Sequence, residues 1–313
     1  MSIFKQPSEL EYNSTIKALI YGQPGLGKST LALSAPNPVL FDFDGGVQRV
    51  NGAFQCPTLP VMSWEEVLMG LTELETEPNN YKTIVIDTVG KMLDYMSTYI
   101  IKNDSKMAMR DGSLSLKGYG ARKVMFTNFL YRVSKMGKNV IFVAHEREEK
   151  DGELRIVRPE IGGSSQGDLI KELDLVGYMQ AIGNERTIAW TPQEKFYAKN
   201  TCNLPPLQKV STIIDQQGKI IGKNDFLATI FESYIAYLRQ EEKTRKEYDA
   251  LLTEITDEVN NIGNADEANA FVDGMKTKKQ IWDSNAHAKC LITGKCKELG
   301  LTFNKKTKKY ESA

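Results

Sequence analysis

The sequence predicts an α/β fold in which a mostly parallel sheet is flanked by helices. Four short apolar segments are rich in β-branched and aromatic residues, which is typical of strands that are covered on both faces. Segments with apolar residues at helical spacing lie between them, and strands that alternate with helices build doubly wound sheets. The predicted strands are residues 17–22 (KALIYG), 38–44 (PVLFDFD), 82–88 (KTIVIDT) and 139–145 (NVIFVAH).

Four helical segments are predicted between these strands. Their ranges are residues 29–34, 63–75, 89–101 and 122–136. Ser63 is expected to cap the second helix, because a serine oxygen at this position accepts a hydrogen bond from a free N–H group of the first turn. Beyond the fourth strand, residues 185–192 and 195–200 are expected to form a pair of strands separated by a turn at Pro192.

The end of the chain has a helical pattern of its own. A helix is predicted at about residues 224–239, and an amphipathic helix follows from Glu241, since apolar residues recur there at three- and four-residue steps. The last segment (LTFNKKTKKYE) has the pattern of a lysine-rich hairpin. We therefore expect two domains, an α/β core at residues 1–239 and a helical, lysine-rich domain at residues 240–313.

Charge is balanced over the whole chain but not along it. The 313 residues carry 40 Lys and Arg and 40 Asp and Glu, so the protein is not basic all over. Lysines dominate after Met275, where they could present a basic surface to phosphates or form a solvated tail. The apolar runs are far shorter than the roughly 20 residues that span a membrane. We expect a cytoplasmic protein with no membrane partner.

The cysteines predict neither a disulfide framework nor a zinc site. Cys56, Cys202, Cys290 and Cys296 include no CxxC pair. His287 together with Cys290 and Cys296 would supply three ligands, whereas structural zinc almost always takes four. Free thiols are therefore expected.

One segment carries a specific chemical signal. Residues 22–30 (GQPGLGKST) satisfy GxxxxGK[ST] and lie between a predicted strand and a predicted helix, as a phosphate-binding loop requires. The glycines let backbone N–H groups surround the phosphates of ATP, and Lys28 reaches the β- and γ-phosphates. Ser29 is expected to bind Mg²⁺, and Thr30 to pack in the helix or contact the α-phosphate. The predicted nucleotide-binding residues are Gly22, Gln23, Pro24, Gly25, Leu26, Gly27, Lys28, Ser29 and Thr30.

Acidic residues near two strand ends are the candidates for metal binding and catalysis. Asp87 ends TIVID, at the edge of the sheet where ligands of such folds bind, and is expected to hold Mg²⁺ with Ser29. No glutamate follows Asp87, so the group that orients the attacking water is sought elsewhere. Asp42 and Asp44 are two positions apart in a predicted strand, so both could face the site. The alternative is a strand-end turn that tolerates Asp before two glycines.

His145 ends the fourth predicted strand, close to the expected position of a γ-phosphate. It could sense this phosphate through a hydrogen bond and pass the signal to the loop that follows. A packed or capping histidine is the alternative interpretation.

With these motifs placed, residues 14–207 resemble the RecA-like superfamily, and most closely the AAA_24-type phage ATPases that are grouped with single-strand-annealing proteins and recombinases. The resemblance rests on GQPGLGKST, LFDFDGG, TIVIDTVGKM, GYGARKV, VIFVAHE and FYAKNTCNLP. It implies a RecA-like core in which Asp44 activates the attacking water, at a position where the family usually has Glu.

The resemblance also implies an assembly on DNA. Lys199, in FYAKN, matches the segment from which such proteins supply a basic residue to the site of the neighbouring subunit. Residues 103–120 and 147–167 match the two loops that face DNA, where basic residues mixed with glycine suit contact with a phosphate backbone. Solvated surface loops are the alternative. The basic residues in or beside these segments are Lys102, Lys106, Arg110, Lys117, Arg147, Arg155 and Arg158.

These features favour an ATP-dependent phage recombination protein that anneals or exchanges single-stranded DNA as an oligomer. The expected cofactors are ATP and Mg²⁺. The expected partners are single-stranded DNA, further copies of the chain, and a phage or host single-strand-binding or replication protein. The alternative is a nucleotide-dependent switch or loader that binds a protein partner without DNA-stimulated activity. A small-molecule kinase has less support, because the chain offers no visible lid or acceptor pocket.

Overall fold

The computed structural model describes residues 3–5, 9, 14–77, 79–152, 154–183 and 185–312. The chain divides into two compact units. The first is Thr15–Tyr234, which contains the predicted nucleotide-binding motifs, and the second is made chiefly of Ile235–Ala313.

The described residues of the first unit form a ten-stranded mixed sheet. Its strands are β1 (Lys17–Gly22), β2 (Pro38–Asp42), β3 (Thr58–Pro60), β4 (Thr83–Asp87), β5 (Asn139–Asp151), β6 (Leu154–Pro159), β7 (Leu175–Ile182), β8 (Glu185–Ala189), β9 (Lys199–Asn200) and β10 (Leu207–Val210). The spatial order is β10-β8-β7-β1-β5-β4-β2-β3. Strands from β7 to β3 in this order are parallel, whereas β8 and β10 are antiparallel additions, β6 pairs with β5, and β9 pairs with β7.

Helices connect the parallel strands. They are α1 (Lys28–Ala32), α2 (Trp64–Thr76), α3 (Val89–Asn103), α4 (Leu116–Lys135) and α5 (Ser165–Glu172). The predicted cap of α2 is confirmed, since the Ser63 side chain accepts a hydrogen bond from the Glu66 N–H group. Thr88 caps α3 in the same way, directly after β4.

Apolar side chains cover both faces of the sheet. Along β1, Leu19 and Tyr21 belong to the buried cluster on one face, and Ala18 and Ile20 belong to the cluster on the other. All four side chains are fully buried, which explains why this strand has no alternation of apolar and polar residues. The α/β P-loop fold with a parallel-rich sheet, which the sequence predicted, is confirmed.

The predicted pairing of residues 185–192 with residues 195–200 is wrong. Strand β8 pairs with β7 and β10, while β9 pairs with β7. Sequence reasoning missed β7, which has Gly177 at its centre. This glycine has a packing reason, because a Cβ atom there would lie 2.5 Å from the Ile188 side chain and 2.6 Å from the Trp190 ring. The large buried Trp190 side chain thus occupies the space that an ordinary strand residue would fill.

The helical end of the chain differs from the prediction in one respect. A single helix, α6 (Phe226–Asn260), replaces the two helices expected on either side of residue 240. Its sequence contains no Gly or Pro between these bounds, so no local signal ends it. The predicted domain boundary after Arg239 therefore lies inside a helix.

The second unit continues with α7 (Ala265–Met275), α8 (Ser284–Glu298) and a hairpin of β11 (Leu301–Asn304) and β12 (Lys309–Ser312). The predicted hairpin is confirmed by its antiparallel register. Ile255, Ile292 and Cys296 belong to a small apolar core. Among the described residues, no group of His, Cys, Asp and Glu is arranged to hold a metal ion, and no helix is both long and apolar enough to cross a membrane.

Candidate nucleotide-binding site

The carboxyl ends of four parallel strands bring the predicted site residues together. Pairing places Asp42 of β2 beside Asp87 of β4, Asp87 beside Val143 of β5, and His145 of β5 beside Gly22 of β1. Residues that are 45 to 123 positions apart in the sequence are therefore neighbours at one edge of the sheet. This is the edge at which open α/β folds bind their ligands.

The phosphate loop has the backbone that its glycines predict. A Cβ atom on Gly22 would lie 2.2 Å from the Met179 carbonyl oxygen of β7, so a larger residue does not fit. Gly25 and Gly27 have φ values of 82° and 86°, in the left-handed region that glycine adopts without strain. The loop can therefore turn tightly from β1 into α1 and leave its N–H groups for an anion.

Lys28 is buried at the base of the loop. Its Nζ atom donates a hydrogen bond to the Gln23 carbonyl oxygen at 2.8 Å, within the loop itself. Burial lowers the pKa of Lys28, while Asp87, Glu146 and Asp44 act in the opposite direction. The Lys28 ammonium group can therefore replace its hydrogen bond to the Gln23 carbonyl oxygen with hydrogen bonds to phosphate oxygens.

Asp87 is a buried carboxyl whose neighbours only partly compensate its charge. Burial, together with the charges of nearby Asp44 and Asp42, raises its pKa to about 6, although a hydrogen bond with Ser29 and the charge of Lys28 act in the opposite direction. A hydroxyl and a carboxyl in contact match the way Mg²⁺ is held beside a nucleotide, by one or two protein oxygens together with phosphates and water. Ser29 and Asp87 therefore fit the predicted metal site.

The two aspartates at the end of β2 and just beyond it, Asp42 and Asp44, differ in their surroundings. Asp42 accepts hydrogen bonds from the N–H groups of Gly46 and Val47 at 2.9 and 3.0 Å, so its carboxylate holds the turn that follows the strand. Strand β2 ends at Asp42, and the expectation that Asp42 and Asp44 lie on one strand face is therefore wrong. Asp44 has a buried Oδ1 atom without a hydrogen-bond partner in the described part of the chain, and its nearest cation is Arg49 at 3.8 Å.

His145 lies at the same edge as a neutral side chain. Burial and the charge of Lys28 lower its pKa, although two acidic neighbours partly oppose this shift. Its Nδ1 atom is buried and has no hydrogen-bond partner among residues 14–77, 79–152, 154–183 and 185–312. A neutral imidazole beside Gly22 can donate a hydrogen bond to a phosphate oxygen. The role of His145 as a sensor stays a prediction.

Lys199 does not point into the phosphate loop of its own chain. Its Nζ atom donates to the carbonyl oxygens of Ile170 and Lys171 at 3.2 and 3.5 Å, and also to that of Leu173. These carbonyls belong to the last turn and the end of α5, where a cation is favourable. Lys199 thus caps this helix in the single chain, and its predicted action on a neighbouring subunit stays a prediction.

The segment before Lys199 is tied to the strand that carries the loop. Tyr21, which directly precedes Gly22, donates from its hydroxyl to the Tyr197 carbonyl oxygen at 2.5 Å. The same hydroxyl oxygen accepts from the Tyr197 N–H group at 3.0 Å. Two hydrogen bonds to one phenol therefore fix the FYAKN segment against β1.

Sequence reasoning missed Arg186, which reaches the phosphate loop from β8. Its Nη1 atom lies 3.4 Å from the Leu26 carbonyl oxygen and 2.8 Å from the place of a Cβ atom on Gly27. Arg186 and Thr30 border a cavity of about 230 Å³ beside the loop. No local motif marks Arg186, because only the pairing of β8 with β7 brings it to the loop. The cavity is also lined by Gln208, Val210, Asn224, Phe226 and Thr229.

The fold and the site define a P-loop NTPase. Residues 14–202 match the AAA_24 family, described as an AAA domain, and the chain belongs to this family. Membership implies that a nucleotide is bound, usually together with Mg²⁺.

Two similar proteins accompany this assignment. The SPbeta prophage-derived uncharacterized protein YorG of Bacillus subtilis (strain 168) is 26% identical over 201 residues, which cover 58% of either chain. The chain thus spans less than two thirds of this relative. The crystal structure of the RadB recombinase is similar with 14% identity and a TM-score of 0.35, over 56% of this chain and 79% of that one.

Proposed function

We propose that the protein is an ATP-binding and ATP-hydrolysing recombination protein of the phage RecA-like group, which anneals or exchanges single-stranded DNA as an oligomer. The observation that carries the proposal is the buried Asp44 Oδ1 atom, which accepts no hydrogen bond in the described part of the chain, has Arg49 as an ion-pair neighbour at 3.8 Å, and influences the charge of Asp87 at the strand edge. Hydrolysis requires a group that orients water close to the metal-side carboxylate, and Asp44 is a carboxylate available for this role.

Each of the other site residues has a defined part in this reaction. Lys28 binds the β- and γ-phosphates, and Ser29 and Asp87 hold Mg²⁺, which supplies positive charge to the phosphates when it is bound. His145 donates a hydrogen bond to the γ-phosphate. The cavity bordered by Thr30 and Arg186 receives the ribose and base, because Thr30 directly follows the residues that contact the phosphates and the metal.

One of the two predicted DNA-facing segments, residues 103–120, supports the DNA part of the proposal. Lys106, Arg110 and Lys117 have no ion-pair partner in the described part of the chain, so they can contact phosphates. Arg122 lies in α4, which begins within residues 103–120. Its guanidinium donates to Ser97 Oγ of α3 at 3.2 Å and to the carbonyl oxygen of Gly162, in the second predicted DNA-facing segment, at 3.5 Å, so it connects both segments to α3. A change at the nucleotide edge can thus reach both segments.

One observation favours the alternative function, a switch or loader that binds a protein. Residues 147–167, expected to be a basic loop, begin as the β5–β6 hairpin, and its arginines have acidic partners. Arg147 and Arg158 lie 2.7 and 2.8 Å from Glu149. Guanidinium groups that already have carboxylate partners release fewer counterions on binding DNA. The hairpin therefore supports DNA binding less than the sequence indicated.

The rate of ATP hydrolysis with and without single-stranded DNA, read together with the mass in solution, tests the proposal. We expect DNA to stimulate hydrolysis by an oligomer, with a steep dependence on salt. A triple variant in which Lys106, Arg110 and Lys117 are each replaced by Ala should lose this stimulation. Hydrolysis without DNA stimulation, combined with ATP-dependent capture of a protein, would establish the alternative instead.

A further inference from the structure

An apolar groove lies within the second unit. Helices α7 and α8 and the β11–β12 hairpin enclose a volume of about 960 Å³. Met275 of α7, Ile292 of α8 and Leu301 of β11 line it. Phe303 stands at its side with 51% of its surface exposed, which is unusual for a phenylalanine that a small core could bury.

The rim of the groove is positively charged. Lys289 and Lys297 of α8 line it, lie two helical turns apart, and are exposed. Neither has an ion-pair partner in the second unit as described, whereas Lys276 on the opposite side is paired with Asp273. No carboxylate lines the groove among the described residues. The complementary partner is therefore acidic.

One polar atom beside the groove lacks a partner. The Asn285 Oδ1 atom, at the start of α8, is buried and accepts no hydrogen bond from the residues that the structure describes. Buried acceptors of this kind are nearly always satisfied in a complete assembly. This oxygen is not accessible from the groove, so the apolar lining and the charged rim are the features that define the partner.

The shape of the groove favours a peptide over nucleic acid. Single-stranded DNA binds on several aromatic faces that stack with successive bases. Here Phe303 is the exposed ring, and its neighbour Tyr310 packs edge-on against it with the ring centres 5.2 Å apart. The remaining apolar lining comes largely from aliphatic and thioether side chains, which fit the apolar face of a helix.

We propose that this groove binds an acidic amphipathic segment of another protein, with the apolar face of the segment against Met275 and Phe303 and its carboxylates toward Lys289 and Lys297. This proposal goes beyond the proposed nucleotide-dependent function and does not depend on it. It gives the lysine-rich end of the chain a protein partner, in place of DNA or a solvated tail.

Fluorescence anisotropy with the full chain tests the proposal. The probe is a labelled helical peptide as long as α8, which has 15 residues, with Leu on one face and Glu on the other. A peptide with Lys in place of each Glu is the charge-reversed control, and an oligothymidine is the nucleic-acid control. We expect the acidic peptide to bind at least about tenfold more tightly than the charge-reversed one, because several rim contacts change from attraction to repulsion.

Two matched variants locate the binding surface. The double change Lys289→Glu and Lys297→Glu should weaken binding of the acidic peptide about tenfold or more. The double change Lys305→Glu and Lys306→Glu, which alters the net charge equally but lies outside the groove, should leave it nearly unchanged. Thr293→Trp, which fills the groove without changing charge, should also weaken binding while far-UV circular dichroism stays that of the parent.

Several results would overturn the proposal. Equal binding of the two peptides, or binding of neither, would contradict the proposal that the partner is acidic. Equal losses in the two double variants would show a general charge effect. Oligothymidine binding that only the groove variants abolish would make the groove a nucleic-acid site, and a concentration-dependent doubling of mass that they abolish would make it a contact between copies of the chain.

Discussion

Gly22 and His145 are direct neighbours in the sheet, joined by the parallel pairing of β1 with β5. The first glycine of the phosphate loop is therefore adjacent to the neutral imidazole that we expect to contact the γ-phosphate. Strand β5 continues past His145 into the β5–β6 hairpin. A change in the loop can thus reach the hairpin without a separate connecting element.

Replacement of Asp44 with Asn should separate nucleotide binding from hydrolysis. We expect ATP affinity close to that of the parent and turnover reduced about 100-fold or more, because the group that orients and activates water is lost. Nucleotide titration and single-turnover hydrolysis measure the two effects. Equal turnover in the variant and the parent would move the catalytic role to another residue.

Asp42→Asn is the matched control, since Asp42 lies two positions away and accepts two short backbone hydrogen bonds. It should reduce the free energy of unfolding by about 1–3 kcal/mol, because hydrogen bonds to a charged acceptor are lost. Its effect on turnover should be smaller than that of Asp44→Asn. Chemical unfolding of the two variants makes this comparison.

Asp87→Asn should abolish Mg²⁺-dependent hydrolysis and stabilise the nucleotide-free protein above neutral pH. The pKa of Asp87 is raised from 3.8 to about 6. Between these values the folded protein retains a proton that the unfolded chain releases, so the contribution of Asp87 to stability falls as the pH rises through this window. The penalty is complete above about pH 6 and amounts to about 3 kcal/mol.

Thermal unfolding of the parent and Asp87→Asn proteins measures this effect. The variant should be more stable than the parent at about pH 8, and the difference should shrink toward about pH 4, where the carboxyl is protonated in the folded state. A difference that does not change with pH would show that Asp87 does not carry the buried charge.

Thr229→Trp tests whether the cavity beside the loop receives the nucleoside. The indole should occupy the cavity and weaken ATP binding about tenfold or more, a loss of about 1.4 kcal/mol. Binding of inorganic tripolyphosphate should not change, because Lys28 and the loop remain intact. Lys28→Ala is the contrasting variant and should weaken both ligands. Unchanged ATP affinity in a folded Thr229→Trp protein would place the nucleoside elsewhere.

Lys199→Ala tests the contribution of a neighbouring subunit. The variant should bind ATP nearly normally as a monomer and lose most hydrolysis that depends on assembly, since the missing charge acts only where subunits meet. Mixing it with Lys28→Ala should restore part of the activity, because some interfaces then combine an intact loop with an intact Lys199.

The structure adds a control for this experiment. Lys199 caps α5, so Lys199→Ala also removes a local contact. A purely structural role would lower the unfolding midpoint and leave the mixed assemblies no more active than the two separate variants. If the parent is active under the same conditions, that outcome would contradict the predicted action of Lys199 on the site of a neighbouring subunit.

The central strands and the phosphate loop could be predicted because their signals are local. Buried parallel strands are continuous apolar runs, and the GxxxxGK[ST] spacing fixes a loop by itself. Strand β7 was missed because Gly177 interrupts its apolar run, and the reason for this glycine lies in Trp190, which is distant in sequence. Arg186 was missed for the same reason, since its place beside the loop depends on the partners of β8.

Charge patterns along the sequence do not show which charged side chains are paired with one another. Arg147 and Arg158 read as DNA-binding residues, but the hairpin register places both near Glu149. Asp42 and Asp44 look equivalent in the sequence, but β2 ends at Asp42. The Asp42 carboxylate holds the turn that follows, whereas the Asp44 Oδ1 atom accepts no hydrogen bond in the described part of the chain. Side-chain partners across strands decide these roles, and spacing along the chain does not reveal them.

The two hydrogen bonds between Tyr21 and Tyr197 have a consequence for the dimensions of an assembly. They fix the distance between the phosphate loop and the segment that ends in Lys199 within each subunit. If Lys199 completes the nucleotide site of the neighbouring subunit, the distance between the phosphate loop and Lys199 within one subunit determines the spacing between consecutive sites in the assembly. The repeat length of the polymer would then be a property of the isolated chain, measurable by electron microscopy and altered by Tyr21→Phe.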